Sequence, residues 1–174
     1  QIFLRGYSVE YFIEGGRSRT GRTLNPRPGM LAMTVRSFLK DHTKPIVFVP
    51  VYTSYEKVLE GRTYLGELRG QKKQKESIFG LLGSLKNLRK SFGQVRLNFG
   101  EPIYLAEFMD TAQPQWRKQA YDAEYRPAWL NKVVDNLAVK VATHINDASA
   151  INPINMAALI LLSTPRQAMG EQLL

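Results

Sequence analysis

The sequence predicts an α/β fold: a partial, mostly parallel sheet flanked by helices, ending in a helical section. Three observations carry that prediction. Strand-like and helix-like patterns alternate over residues 9–99 in the order strand, helix, strand, helix, strand. One of those strands is a continuous apolar run, the pattern of a strand covered on both faces. After Pro127 the period changes to that of a long amphipathic helix.

Taken in order, Val9–Glu14 ("VEYFIE") alternates and is rich in β-branched and aromatic residues, so it reads as a strand running into Gly15 and Gly16. A helix is expected from near Pro28, with Met30, Leu31, Met33, Val35, Phe38 and Leu39 at helical spacing and Pro45 closing the segment. Ile46–Tyr52 ("IVFVPVY") is the continuous apolar strand. Pro50 within it marks an edge, a strand end or a bulge, because proline cannot donate to a ladder. Residues 56–75 read as loop with a short helical turn. Ser77–Lys90 reads as an amphipathic helix with Ile78, Leu81, Leu82, Leu85 and Leu88 on one side. Gln94–Phe99 is a third strand, stopped by Gly100 and Pro102.

Beyond Pro127, Leu130, Val133, Val134, Leu137, Val141 and Ile145 form one apolar stripe, and Ile154–Ser163 reads as a further helix introduced by Asn152-Pro153. The expected division is residues 1–126 as an α/β part and residues 127–174 as a helical section that packs on it or opens a further domain. No internal repeat or low-complexity segment is evident.

The chain has 174 residues, enough for one packed domain, with 44% hydrophobic and 22% charged residues, which excludes a disordered or fibrous class. It has no cysteine, so disulfides, thiolate metal sites and cysteine nucleophiles are excluded. The longest apolar runs fall well short of the roughly 20 residues of a spanning helix. The net charge of +9 is uneven: residues 1–96 carry 18 − 7 = +11, and residues 97–174 carry 6 − 8 = −2. Such a field attracts nucleic acid, anionic lipid, phosphorylated metabolites or an acidic carrier protein, and charge does not choose among them.

The stretch "FIEGGRSRTGR" (residues 12–22) combines three arginines, three glycines and two hydroxyls behind an apolar run. It matches neither the Walker phosphate loop nor the dinucleotide fingerprint. Gly15 and Gly16 permit positive φ and close backbone approach. In an extended segment Arg17 and Arg19 project to one side, and two guanidinium forks with Ser18 between them suit a phosphate. Glu14 would tie down an arginine or accept a substrate hydroxyl. The same residues also fit a solvated loop or a nucleic-acid contact.

The wider motif "GYSVEYFIEGGRSRTGR", followed by "GMLAM", resembles the third sequence block of the glycerol-3-phosphate acyltransferases of the long bacterial membrane type. The block's core is matched by Phe12, Glu14, Gly15, Gly16, Arg17, Ser18 and Arg19. "IVFVPV" resembles the fourth block, with Pro50 as its proline, and "YEKVLEG", "ELRGQKKQKES", "NFGEP" and "RPAWL" are also similar to that family. The resemblance implies a glycerolipid acyltransferase-like α/β fold. It implies transfer of a fatty acyl group from acyl-CoA or acyl-carrier protein to the sn-1 hydroxyl of glycerol-3-phosphate, in phospholipid synthesis at the cytoplasmic face of the bacterial inner membrane. By the same resemblance, Arg17 and Arg19 bind phosphate, Ser18 and Glu14 shape the pocket with Gly15 and Gly16, and Pro50 fixes the adjoining strand; no cofactor or metal is implied.

The family's His-x-x-x-x-Asp block, with its general-base histidine, is not matched. Val47 lies five positions after His42, and Ser149 five after His144. His42 reads as a helix-end residue and His144 as a helix-surface or packing residue. The chain is therefore expected to be an internal piece of the catalytic region that holds the glycerol phosphate but does not turn over alone. The basic stretch Arg69–Lys75 suits an anionic membrane surface or an acidic acyl carrier, and equally a solvated loop. Glu56 and Glu60 read as surface carboxylates, and Tyr52, Tyr55 and Trp129 as core or rim aromatics. The rival reading is a non-catalytic basic docking domain for acyl carrier, membrane surface or nucleic acid. Nucleic acid is the weaker option, since no helix-turn-helix, RNP or zinc pattern accompanies the charge.

Overall fold

The computed structural model describes residues 5–16, 22–55, 94–121, 126–151 and 153–164. The expected helix Ser77–Lys90 and the loop before it lie outside the described residues. The chain divides into two compact units, one of Gln1–Tyr52 with Asn98–Ser149, the other of Thr53–Leu97 with Ala150–Leu174.

The first unit is built on three helices. Helix α1 (Gly29–Lys40) follows Pro28, which stands just before its first turn and has no N–H to leave unpaired. Leu31, Val35, Phe38 and Leu39 turn inward on its buried face, whereas Met30 and Met33 remain exposed. Thr34, also buried, satisfies its hydroxyl by donating to the Met30 carbonyl at 3.0 Å. Asp41 stops the helix: its carboxylate accepts from both the Thr43 amide and the Thr43 hydroxyl, 3.0 and 2.7 Å away. Those bonds hold the Asp41 carboxyl below its ordinary pKa.

The strand expectations need correction. Val9–Glu14 does not join a ladder. Its alternation is real, with Ile13 buried and Tyr11 half-buried, yet it runs as extended chain and curls into the Gly15 turn. The apolar run at 46–52 is two strands, β1 (Val47–Phe48) and β2 (Val51–Tyr55), interrupted at Val49-Pro50. It is not covered on both faces, because Val47, Val49 and Val51 are exposed.

β3 (Val95–Phe99) pairs with β2, and β4 (Ile103–Tyr104) pairs with β1. The β1–β4 register is antiparallel, Val47 opposite Tyr104 and Phe48 opposite Ile103. The Gly100 amide donates to the Pro50 carbonyl at 2.8 Å, so the end of β3 meets the start of β2, again antiparallel. The described sheets are thus small and antiparallel, and the mostly parallel sheet is not found. The register runs on across both breaks, with Gly100 bonded to Pro50 and Val47 opposite Tyr104, so β3 and β4 run antiparallel to β2 and β1 in turn.

Leu105–Ala112 forms α2 and Trp116–Lys118 a single 3₁₀ turn, neither expected from the sequence. Leu130–Asp147 is α3, as its stripe predicts: Leu130, Val133, Val134, Leu137, Ala138 and Val141 are buried. They join Ile13, the inner face of α1, Leu105, Met109 and Trp116 in one core. Trp116 is 1% exposed and its ring lies 5.3 Å from that of Phe38. Its indole N–H donates to Asp110 at 2.7 Å, and Arg117 donates to the same carboxylate through Nε and Nη2. The Arg117 fork first, and the Trp116 indole second, hold the Asp110 carboxyl below its ordinary value. In the second unit, α4 (Pro153–Ser163) has no buried side chain. Among the described residues no helix is long and apolar enough to cross a membrane.

Two tests follow from this packing. Leu137→Ala should cost about 2–5 kcal/mol in urea unfolding of the full-length protein, since a fully buried leucine leaves a cavity. Because folding lowers the Asp110 pKa, its pairing contributes fully above the ordinary value of 3.8 and is lost as the carboxylate protonates at lower pH. The stability gap between wild type and Asp110→Asn should therefore shrink from about pH 5 to about pH 2; a constant gap would contradict the pairing.

Candidate functional site

The described residues on either side of segment 17–21 are bonded to each other as a neck. Ile13, buried in the core, anchors the outgoing limb, and its carbonyl accepts the Arg27 amide at 2.8 Å. The Leu24 amide donates to Glu14 Oε2 at 3.1 Å. Glu14 thus fastens the returning limb to the outgoing one. A carboxylate accepting a backbone N–H makes a charge-assisted bond, stronger than a neutral one.

Gly15 turns the chain, with φ +60° and its amide donating to the Phe12 carbonyl at 3.2 Å. The conformation favours glycine, and a Cβ there, 2.8 Å from Arg27 Cδ, would also have to displace the Arg27 side chain. Gly16 has open space and does not use positive φ. Arg17, Ser18 and Arg19 lie outside the described residues, so the structure places the neck on which they are carried.

Pro50 is buried at the break between β1 and β2. Its ring sits against Gly100, where a Cβ would approach Pro50 Cβ to 3.2 Å and the His144 carbonyl to 2.5 Å. Proline fits the break because the residue needs only its carbonyl, which takes the Gly100 amide.

The last turn of α3 joins these two parts of the site. His144 Nδ1 lies 2.8 Å from the Glu101 carbonyl; a carbonyl only accepts, so Nδ1 carries the proton in this bond. The Asn98 amide donates to the Ala148 carbonyl at 2.9 Å, satisfying one of the carbonyls a helix end leaves open. The Thr23 hydroxyl donates to Asn146 Oδ1 at 2.5 Å. One turn of helix thus contacts the returning limb of the loop and the Gly100 connection beside Pro50. Sequence reasoning missed Thr23, Asn98 and Asn146. It took His144 as a packing residue, and His144 does pack, but it also donates. The available signal was the polar pair His144 and Asn146 at the end of an otherwise apolar stripe.

Residues 64–174, well over half of the chain, match the family model described as glycerol-3-phosphate acyltransferase C-terminal region. The chain is 60% identical over 173 residues to a glycerol-3-phosphate acyltransferase of Ectopseudomonas mendocina (strain ymp), covering 99% of this chain and 21% of that protein. It is 62% identical over 173 residues to the protein of the same name from Pseudomonas paraeruginosa, with the same coverage. It is 60% identical over 171 residues to that of Pseudomonas fluorescens (strain SBW25), covering 98% of this chain and 20% of the relative. The chain spans about a fifth of the length of these curated relatives. The family model begins after the Gly/Arg loop, whereas the relatives' similarity extends across it.

The three glycines differ in a measurable way. Gly100→Ala should destabilise the full-length protein by about 1–3 kcal/mol, because its Cβ meets helix backbone that must shift. Gly15→Ala should cost about 1–2 kcal/mol for the left-handed backbone, with the Arg27 side chain swinging aside. Gly16→Ala should stay within about 0.5 kcal/mol of wild type. Urea unfolding of the three variants checks the ranking.

Proposed function

Because the chain belongs to the glycerol-3-phosphate acyltransferase C-terminal-region family, we propose that it supplies the glycerol phosphate-binding half of an acyltransferase active site. The full protein moves a fatty acyl group from acyl-CoA or acyl-carrier protein to the sn-1 hydroxyl of glycerol-3-phosphate. The observation that carries this reading is the clamped neck of the Gly/Arg loop, with Glu14 bonded to Leu24 and Ile13 to Arg27. A closed neck brings together the two ends of a short arginine-rich stretch, and two guanidinium groups so near in sequence suit a single phosphate.

In this reading Arg17 and Arg19 take the phosphate as charge-assisted donors, and Ser18 adds a hydroxyl donor. Gly15 and Gly16 allow the ligand close to the backbone. Glu14 acts as the brace that keeps the tip in shape. Pro50 marks the adjoining strand end. The hydroxyl to be acylated must lose its proton as the carbonyl carbon is attacked, and neither His42 nor His144 stands in the His-x-x-x-x-Asp pattern that supplies such a base: Val47 lies five positions after His42 and Ser149 five after His144. The general base belongs to a part of the protein outside residues 1–174. The excess charge of residues 1–96 supports docking against an anionic inner-membrane surface or an acidic carrier on the cytoplasmic side, where the phospholipid precursor is made.

In the full-length protein, Arg17→Ala should raise KM for glycerol-3-phosphate about tenfold to a hundredfold, the range for losing a hydrogen bond to a charged group. The acyl-donor KM should change little. An unchanged glycerol-3-phosphate KM, or equal losses for both substrates, would contradict this placement of the phosphate.

A further inference from the structure

The neck bonds of the Gly/Arg loop lie within the loop's own two limbs, Glu14 to Leu24 and Ile13 to Arg27. They fix the neck and, through Ile13, its base on the core. Further out, the returning limb is tied to α3 by the Thr23–Asn146 bond, which joins residues 123 apart in sequence. Asn146 lies on the same helical turn as His144, whose carbonyl supports Gly100 and whose Nδ1–H holds Glu101. Gly100 in turn donates to Pro50. The two parts of the site, loop and strand end, are therefore referred to one rigid element.

We infer that Asn146 is a positioning residue for the glycerol phosphate site, holding the returning limb of the loop through Thr23 in register with the Pro50 strand end. The inference rests on the phosphate-binding reading given above. Asn146 does not contact the phosphate itself. Its Oδ1 is occupied by Thr23, and the C-terminal end of a helix carries partial negative charge, which repels an anion. Its effect is to hold the Thr23 limb against α3 before the ligand arrives, so that less ordering is left to the binding event.

Thr23 is exposed, so Thr23→Val removes the hydroxyl at constant shape without opening the core. In the full-length protein, Thr23→Val and Asn146→Ala should each raise KM for glycerol-3-phosphate about three- to tenfold, with kcat and the acyl-donor KM within about twofold of wild type. Thr23→Ser should restore the wild-type KM, and the double variant Thr23→Val/Asn146→Ala should be no worse than either single one. Arg17→Ala, run alongside, separates the two claims. If Arg17→Ala raises that KM while Thr23→Val and Asn146→Ala leave it unchanged, the positioning role is wrong and the phosphate site stands. If the two variants lower kcat and weaken both substrates alike, or if Thr23→Ser fails to restore KM, the contact is only structural and the inference is overturned. If Arg17→Ala leaves KM unchanged, the phosphate site is misplaced and the inference falls with it.

Discussion

The contact on which the site depends is the seating of the Gly100 backbone on the last turn of α3. There is no room for a single methyl group: a Cβ would stand 2.5 Å from the His144 carbonyl. α3 earns this position through its buried stripe, from Leu130 to Val141, which fixes it against α1 and α2. Packed helices deform little, so whatever rests on the end of α3 inherits its rigidity. Gly100 then carries Pro50, Glu101 carries the entry to β4, and Thr23 carries the loop. The returning limb of the neck and the strand break at Pro50 are both referred, through a few polar bonds, to one helix end.

Much of this fold was legible because helical periodicity is a local signal. The inner face of α1 and nearly all of α3 were read from spacing alone, and α4 began within one residue of its expected start. Strand direction is not local. "IVFVPVY" announces burial and a break at Pro50, yet nothing in it states whether its partner runs parallel or antiparallel. The direction is set only where the two segments meet, with Gly100 on Pro50 and β4 opposite β1 in one continuing antiparallel register. Val9–Glu14 shows the converse. Alternation reports which side chains face the core, and Tyr11 and Ile13 do, but a ladder needs a neighbour at 4.8 Å or so, which side-chain pattern does not supply. β4, α2 and the Trp116 turn are each too short to display a period.

The candidate site divides along the same line. Glu14, Gly15, Gly16, Arg17, Ser18, Arg19 and Pro50 were legible because a motif concentrates chemistry in adjacent residues. For Gly15 the structure supplies the physical reason, a left-handed turn against Arg27. For Glu14 it adds a bond that the motif does not announce, the one its Oε2 accepts from the Leu24 amide. Thr23 and Asn146 were not legible. Each is an ordinary polar residue in its own segment, and their meaning exists only in their meeting.

The placement of charge explains why such a brace is needed. Arg17, Arg19 and Arg22 stand within six residues, and like charges so close repel one another until an anion arrives between them. A loop relying only on its ligand for order would have to gather those cations anew at each binding event. The ties that hold this one are anionic or dipolar in the required sense: a carboxylate on the outgoing limb and an amide oxygen at the negative end of a helix on the returning limb. The charge of the chain is divided in the same sense: residues 1–96, which supply the arginines, carry +11, and residues 97–174, which supply α3, carry −2.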